Sequence, residues 1–184
     1  MQQKITPITI FGIDSVNYPK HRDRLIELYT LSFTEGKYAQ HISPEEIEQA
    51  LDDIMRIGFG FMAFKKDELI GAVLCLSLKN DPYFPIDSHP EFDIDKTLYI
   101  ADLMVDVQYR GRGVALSLLD HLFELSQSKP YNHAVMRVWN KNIPAVSLYK
   151  KIGFEEFASI YQTKLNKGTM EPFEMKKLYM KKSL

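Results

Sequence analysis

The residues with the clearest capacity for chemistry lie in the segment 103-LMVDVQYRGRGVALSLLDHL-122. There Gln108, Arg110, Gly111, Arg112 and Gly113 form a short loop between a β-forming run and a helix-forming one. Gly111 and Gly113 carry no Cβ, so the backbone can turn sharply and approach a ligand closely. The amides of the following helical turn, from Val114 and Ala115 onward, stand unpaired at the positive end of the helix dipole. Such a turn suits phosphate or pyrophosphate, and Arg110 and Arg112 add two guanidinium groups for further phosphates. A Walker loop is excluded, because Val114-Ala115 follows Gly113 where Lys and Ser/Thr are required. The dinucleotide fingerprint fails twice. Leu116 occupies the third small-residue position, and Trp139 and Asn140 stand where a ribose-binding acid belongs. A plain strand-to-helix turn with solvated arginines uses the same residues, and the loop by itself leaves both readings open.

Other reactive residue types give weaker patterns. His21, His41, His89, His121 and His133 show no metal-ligand spacing, so no metal is expected. Cys75 is the single cysteine, which excludes a disulfide framework and reads as a small buried hydrophobe. No Gly-x-Ser-x-Gly elbow is present.

The elements that must position the loop follow from hydropathy patterning. The chain has 184 residues, 45% hydrophobic and 26% charged, which suits one soluble globular domain over residues 1–184. A first strand is predicted over Thr6 to Phe11 and a helix over Pro19 to Phe33. Ser43-Pro44-Glu45-Glu46 announces a second helix with a capping box, followed by the apolar stripe Ile47, Ala50, Leu51, Ile54 and Met55. Phe59 to Phe64 and Leu69 to Leu78 read as a hairpin. Residues 79–97 contain three prolines and no period, as a long functional or disordered loop would. Strands over 98–107 and 134–139, helices over 113–126 and 144–152, and strands over 154–161 and 173–180 complete a mixed α/β order around one sheet.

Charge divides along the chain. Residues 1–97 hold 10 Lys+Arg against 16 Asp+Glu, and residues 98–184 hold 13 against 8. This split suits ligands of opposite sign on the two halves. No basic block is dense enough for a nucleic-acid groove, and the pairs Lys176-Lys177 and Lys181-Lys182 read as solvated strand or end charges. The longest uncharged apolar run, Leu69 to Leu78, is half of the roughly 20 residues that a membrane helix needs. The N-terminal residues lack the apolar core of a signal peptide. Together with the single cysteine, these features make the cytoplasm the expected location.

A second motif lies one strand downstream of the loop. The run 138-VWNKNIPAVSLYKKIGFEE-156 contains Asn142-x-x-Ala145-x-x-Leu148-Tyr149-x-x-x-Gly153-Phe154. With Gln108-x-x-Gly111-x-Gly113 before it, the ordered pair resembles the two signatures of the GNAT acetyltransferase superfamily, over residues 98–154. The resemblance implies a mostly antiparallel sheet of about seven strands, flanked by helices and splayed between strands 4 and 5. It implies acetyl-CoA as co-substrate and transfer of its acetyl group to a primary amine by direct attack. A non-catalytic acyl-CoA-binding domain of the same fold is the alternative.

By the same resemblance, backbone groups of Met104, Val105 and Val107 would bond the pantetheine arm as an added strand does. Amides of residues 110–115 would hold the pyrophosphate, and the Asn142 side chain would meet the arm. Tyr149 matches the position whose hydroxyl faces the sulfur. A general base is also required, since a protonated amine has no lone pair. Asp102, on the fourth strand with Met104 and Asp106, is the first choice for it and Asp106 the second. The loop over 79–97, with Asp81, Asp87, Glu91, Asp93 and Asp95 among Tyr83, Phe84 and Phe92, is expected to wall the acceptor cleft and favour a cationic amine. A homodimer is a further expectation, from the family and from the frequency of two-fold assemblies.

Overall fold

A computed structural model of the chain describes residues 7–35 and 39–184. Its elements in order are β1 (Ile8–Asp14), α1 (Tyr18–Phe33), α2 (Pro44–Ile57), β2 (Phe59–Lys65), β3 (Glu68–Ser77), β4 (Thr97–Val105), α3 (Val114–Ser126), β5 (His133–Trp139), α4 (Ile143–Lys151), β6 (Glu155–Leu165) and β7 (Pro172–Ser183). The predicted first strand shifts toward the C-terminus, and its first residue, Thr6, lies outside the described residues. The seven strands form one sheet in the order β1-β2-β3-β4-β5-β7-β6. Among the described strands only β4 and β5 pair in parallel.

Local rules account for the elements around the site. Ser43 Oγ accepts the Glu46 amide at 3.2 Å, and the Glu46 carboxylate accepts the Ser43 amide at 2.8 Å. This capping box fixes the start of α2, whose Ile47, Leu51 and Met55 are buried. Residues Lys65 and Glu68 pair directly, so β2 and β3 form the hairpin read from their pattern. One core lies between the sheet and α3 and α4, with Val114, Leu118, Leu119, Leu122 and Tyr149 in it. A second lies between the other face and α1 and α2, around Leu25, Leu28, Leu51 and Met55.

Two irregularities open the sheet. Leu74 pairs with Asp102 while the next residue, Cys75, pairs with Ile100. Ala101 is therefore an extra residue in β4, a bulge that re-aims the side chains beyond it. Ile100 belongs to the core under α3, whereas Leu74, opposite Asp102, belongs to the core under α1 and α2. The β4–β5 pairing runs only from Thr97–His133 to Ile100–Met136. Beyond that point β4 continues to Val105 on β3 and β5 to Trp139 on β7, but the two no longer pair with each other and part.

The segment 79–97 is ordered by packing, with short 3-10 turns at Leu78–Asn80 and Ile86–Ser88. Phe84 and Phe92 contact Tyr179 and Phe157 at ring distances of 5.6 and 5.0 Å. Among the described residues no helix is long and apolar enough to cross a membrane.

Candidate active site

The glycine-arginine loop has the geometry that its composition calls for. Gly111 and Gly113 sit at φ of 71° and 81°, a region that side chains with a Cβ rarely adopt. Among the described residues, no atom beyond the adjoining residues lies within 4 Å of where a Cβ would stand at either position, so the loop is open on its outer side. Gly113 is the N-cap of α3 and, among the described residues, no side chain caps that helix, which leaves the first-turn amides from Val114 onward available to an anion. Gln108 lies in a 3-10 turn whose N-cap is Asp106, and the Asp106 carboxylate accepts the Gln108 amide at 2.8 Å. Asp106 is thus committed to building the loop. Arg112 stacks near the Tyr109 ring, at 5.7 Å. Arg110 turns back instead, and its Nε donates to the Val105 carbonyl at 3.1 Å.

That bond shows which way β4 faces. The Asp106 amide donates to Ile70 on β3. In an antiparallel ladder successive residues alternate in direction, so Met104 also directs its backbone groups to β3. Leu103 and Val105 direct theirs into the gap toward β5. Met104 is 1% exposed and packs in the core under α1 and α2. Of the backbone groups expected to meet the arm, those of Val105 thus face the gap, and those of Met104 face β3. Val107 lies beyond the strand, and its carbonyl accepts the Arg110 amide at 3.4 Å.

Where the strands part, a cleft of about 450 Å³ opens. Asp102, Leu103, Arg110, Asn142 and Tyr149 line it, with Ser32 and Phe33 from α1 and Arg137, Trp139 and Lys177 from β5 and β7. Asp102 is partly buried, and burial pushes its carboxyl up to about 6, against the attraction of Lys177 and Arg137. The charge of Asp102 in turn raises the Tyr29 hydroxyl on α1, with burial adding to the effect. Tyr149, 7% exposed, has its phenol pushed up to about 12 by burial. Asn142 is the N-cap of α4, its Oδ1 facing the Ala145 amide at 3.4 Å, which leaves its side-chain NH₂ for a ligand.

Lys177 is the functional candidate that the sequence reading missed. Lys177 is not a solvated end charge: it is partly buried in the cleft, and burial together with Arg137 and Lys164 lowers its ammonium to about 8. The available signal was the alternation Met175-x-Lys177-x-Tyr179, which places a lysine between two buried residues on one strand face.

The loop over 79–97 has a different role from the one expected. None of its residues lines the cleft. The Asp81 carboxylate, fully buried, pairs with Arg137 at 3.2 Å and accepts the Tyr179 hydroxyl at 2.7 Å. Arg137 Nε also donates to the Tyr99 hydroxyl at 2.9 Å. Asp95 and Asp93 pair with Lys79 and Lys96, and Glu91 with His89. Asp81, Glu91, Asp93 and Asp95 are thus engaged in holding the loop and in neutralising Arg137 beneath the cleft, which leaves Asp87 as the loop's one acid without such a bond among the described residues.

Residues 22–154 match the acetyltransferase (GNAT) family, and the chain belongs to that family. It is 29% identical over 108 residues to N-alpha-acetyltransferase 30 of Schizosaccharomyces pombe, covering 59% of this chain and 65% of the relative. Identity to N-alpha-acetyltransferase MAK3 of Arabidopsis thaliana is 27% over 121 residues, covering 66% and 56%. The chain thus spans less than two thirds of the length of these curated relatives. Among solved structures, Arabidopsis thaliana NAA60 in complex with acetyl-CoA aligns at a TM-score of 0.70 with 20% identity, over 97% of this chain and 99% of that one. A ribosomal-protein-alanine N-acetyltransferase from Brucella melitensis aligns at 0.67 with 18% identity, over 96% and 99%. These structural likenesses establish the fold.

Proposed function

We propose that the chain is an N-acetyltransferase that moves the acetyl group of acetyl-CoA to a primary amine by direct attack. The observation that carries this reading is that Asp102 and Tyr149 line one cleft at the mouth of the β4–β5 gap. The open glycine loop lies at the end of the same gap.

The residues fit the co-substrate. The α3 amides and the Gly111–Gly113 turn suit the pyrophosphate, and the backbone groups of Leu103 with the amide of Val105, on the edge of β4 that faces the gap, suit the amides of an extended arm. The Asn142 NH₂, on the cleft lining, is the group we assign to meet that arm. Acetyl-CoA supplies an activated acyl carbon with a thiolate leaving group. Asp102, ionised above a pH of about 6, accepts the proton that the amine sheds as its nitrogen bonds to that carbon. As the carbon–sulfur bond breaks, the electron pair goes to sulfur. Full proton transfer from a phenol at about 12 to a thiolate near 8.5 is uphill by about 5 kcal/mol. Tyr149 therefore acts by donating a hydrogen bond to the sulfur.

The test is turnover of acetyl-CoA with an amine panel, combined with melting in the presence of acetyl-CoA, CoA and NADH. Stabilisation by acetyl-CoA and CoA but not NADH, with release of free thiol, supports the enzyme. Stabilisation with no turnover of any amine favours an acyl-CoA-binding domain instead.

A further inference from the structure

The charges of the cleft do not cancel locally, and the imbalance identifies the acceptor. Arg137 is matched by Asp81. Arg110 is turned onto the Val105 carbonyl at the phosphate-loop end. Lys141 is exposed, 6.0 Å from the Trp139 ring, and Glu35, the second acid of the lining beside Asp102, is exposed just beyond α1 and pairs with no cation among the described residues. Lys177 remains. It is partly buried, it is repelled by Arg137 and Lys164, and its attraction to Asp102 acts without an ion pair or hydrogen bond among the described residues. A partly buried ammonium in that state is costly unless an anion meets it.

The register places this cation relative to the base. Trp139 on β5 is directly opposite Lys177 on β7, and β5 separates β7 from β4. The backbones of Asp102 and Lys177 are therefore at least two strand spacings apart, roughly 10 Å, with the Trp139 indole lining the cleft between them. On the facing wall the Ser32 hydroxyl is buried with no hydrogen-bond partner among the described residues. A base at one end, an unmatched cation at the other and an unsatisfied hydroxyl on the wall define a site with two poles.

Resting on the acetyltransferase reading, we infer that the acceptor is an amine that also carries a carboxylate, its nitrogen directed at Asp102 and its carboxylate at Lys177. A neutral or purely cationic amine leaves Lys177 unmatched, whereas a carboxylate pairs with it and accepts from Ser32. The carboxylate can be that of a free amino acid or an acidic side chain at the start of a peptide. The chemistry at Lys177 is the same in both.

The experiment compares kcat/KM within matched acceptor pairs at saturating acetyl-CoA. One arm sets free amino acids against their C-terminal amides. The other sets short peptide amides that begin with Glu or Asp against those that begin with Gln or Asn. The expected preference for the carboxylate member is about tenfold or more in one arm, as a charge-assisted contact supplies, and that arm names the source. In Lys177→Gln the ratio falls toward one, while Lys177→Arg retains most of it. The ratio cancels any effect of the substitution on Asp102 or on folding, since both members of a pair share it. Equal rates within both arms, or a preference unchanged in Lys177→Gln, overturn the inference while leaving the acetyltransferase reading intact. Acetyl-CoA binding with no turnover of any acceptor overturns both.

Discussion

Asp102 and Tyr149 belong to opposite faces of the sheet and yet line the same cleft. Asp102 is paired with Leu74, in the core under α1 and α2, whereas Tyr149 packs in the core under α3 and α4. They meet because β4 and β5 stop pairing after Ile100–Met136, so the sheet no longer separates its two sides. The bulge at Ala101 brings Asp102 to the α1 side of that opening.

Tyr149→Phe removes the hydroxyl and little of the packing. The expected result is a fall in kcat of about 100-fold, at the low end of what a positioned proton donor contributes, with acetyl-CoA affinity changed less than about threefold. Steady-state kinetics and calorimetric titration check it. Turnover equal to that of the unmodified chain removes Tyr149 from the chemistry.

Asp102 carries a pH signature. Its carboxyl is raised to about 6 by burial, so kcat/KM is expected to fall as pH drops through that value, and Asp102→Asn to abolish this limb along with most activity. The same substitution is expected to stabilise the fold. A raised carboxyl pKa means that the folded chain binds a proton more readily than the unfolded one, so the Asp102 charge opposes folding above a pH of about 6. That opposition is relieved as pH falls toward 4. Its size at neutral pH is on the order of 2–3 kcal/mol, and the gain in Asp102→Asn is smaller because Lys177 loses the longer-range attraction of that charge. Melting at pH 7.5 should therefore show a rise of a few degrees.

Gly113→Ala introduces a Cβ into open space, so steric overlap is not the problem. The cost is the φ of 81°, about 1–2 kcal/mol for a residue with a Cβ. The loop relaxes away from the conformation that presents the α3 amides, and the Kd for acetyl-CoA is expected to rise about tenfold. Unchanged binding by calorimetry would show that this turn does not hold the phosphates.

Asp81→Ala strands a charge. The guanidinium of Arg137, 17% exposed, loses its fully buried partner, and the Tyr179 hydroxyl loses its acceptor. Removing one member of such a pair costs about 3–5 kcal/mol, and thermal melting should fall by about 6 °C or more. Adding Arg137→Leu should recover part of the loss, because no charge is then left without a partner. A melting point unaffected by Asp81→Ala would mean that water satisfies Arg137 in the native fold.

Much of this architecture was legible in the residues. The capping box at Ser43–Glu46, the hairpin at Lys65–Glu68 and the positive-φ glycines at 111 and 113 are local preferences, set by a few neighbouring side chains. The element order follows from period and breakers alone, and the two signatures around Gly111 and Tyr149 identify the family. What stayed hidden was direction. Nothing in Tyr99-Ile100-Ala101-Asp102 reveals that Ala101 is an extra residue, because a bulge depends on the partner strand as much as on the bulged one.

Sequence by itself therefore determined the secondary elements, the phosphate-type loop and the acetyltransferase family of this protein, all of which depend on residues close together in the chain. Tertiary structure alone decided that Asp102 and Tyr149 share a cleft, that Met104 turns away from it and Leu103 toward it, that Asp81 lies beneath it matched to Arg137, and that Lys177 stands inside it. Each of these depends on register between strands far apart in the chain. A shift of one residue in register turns a side chain to the other face of the sheet.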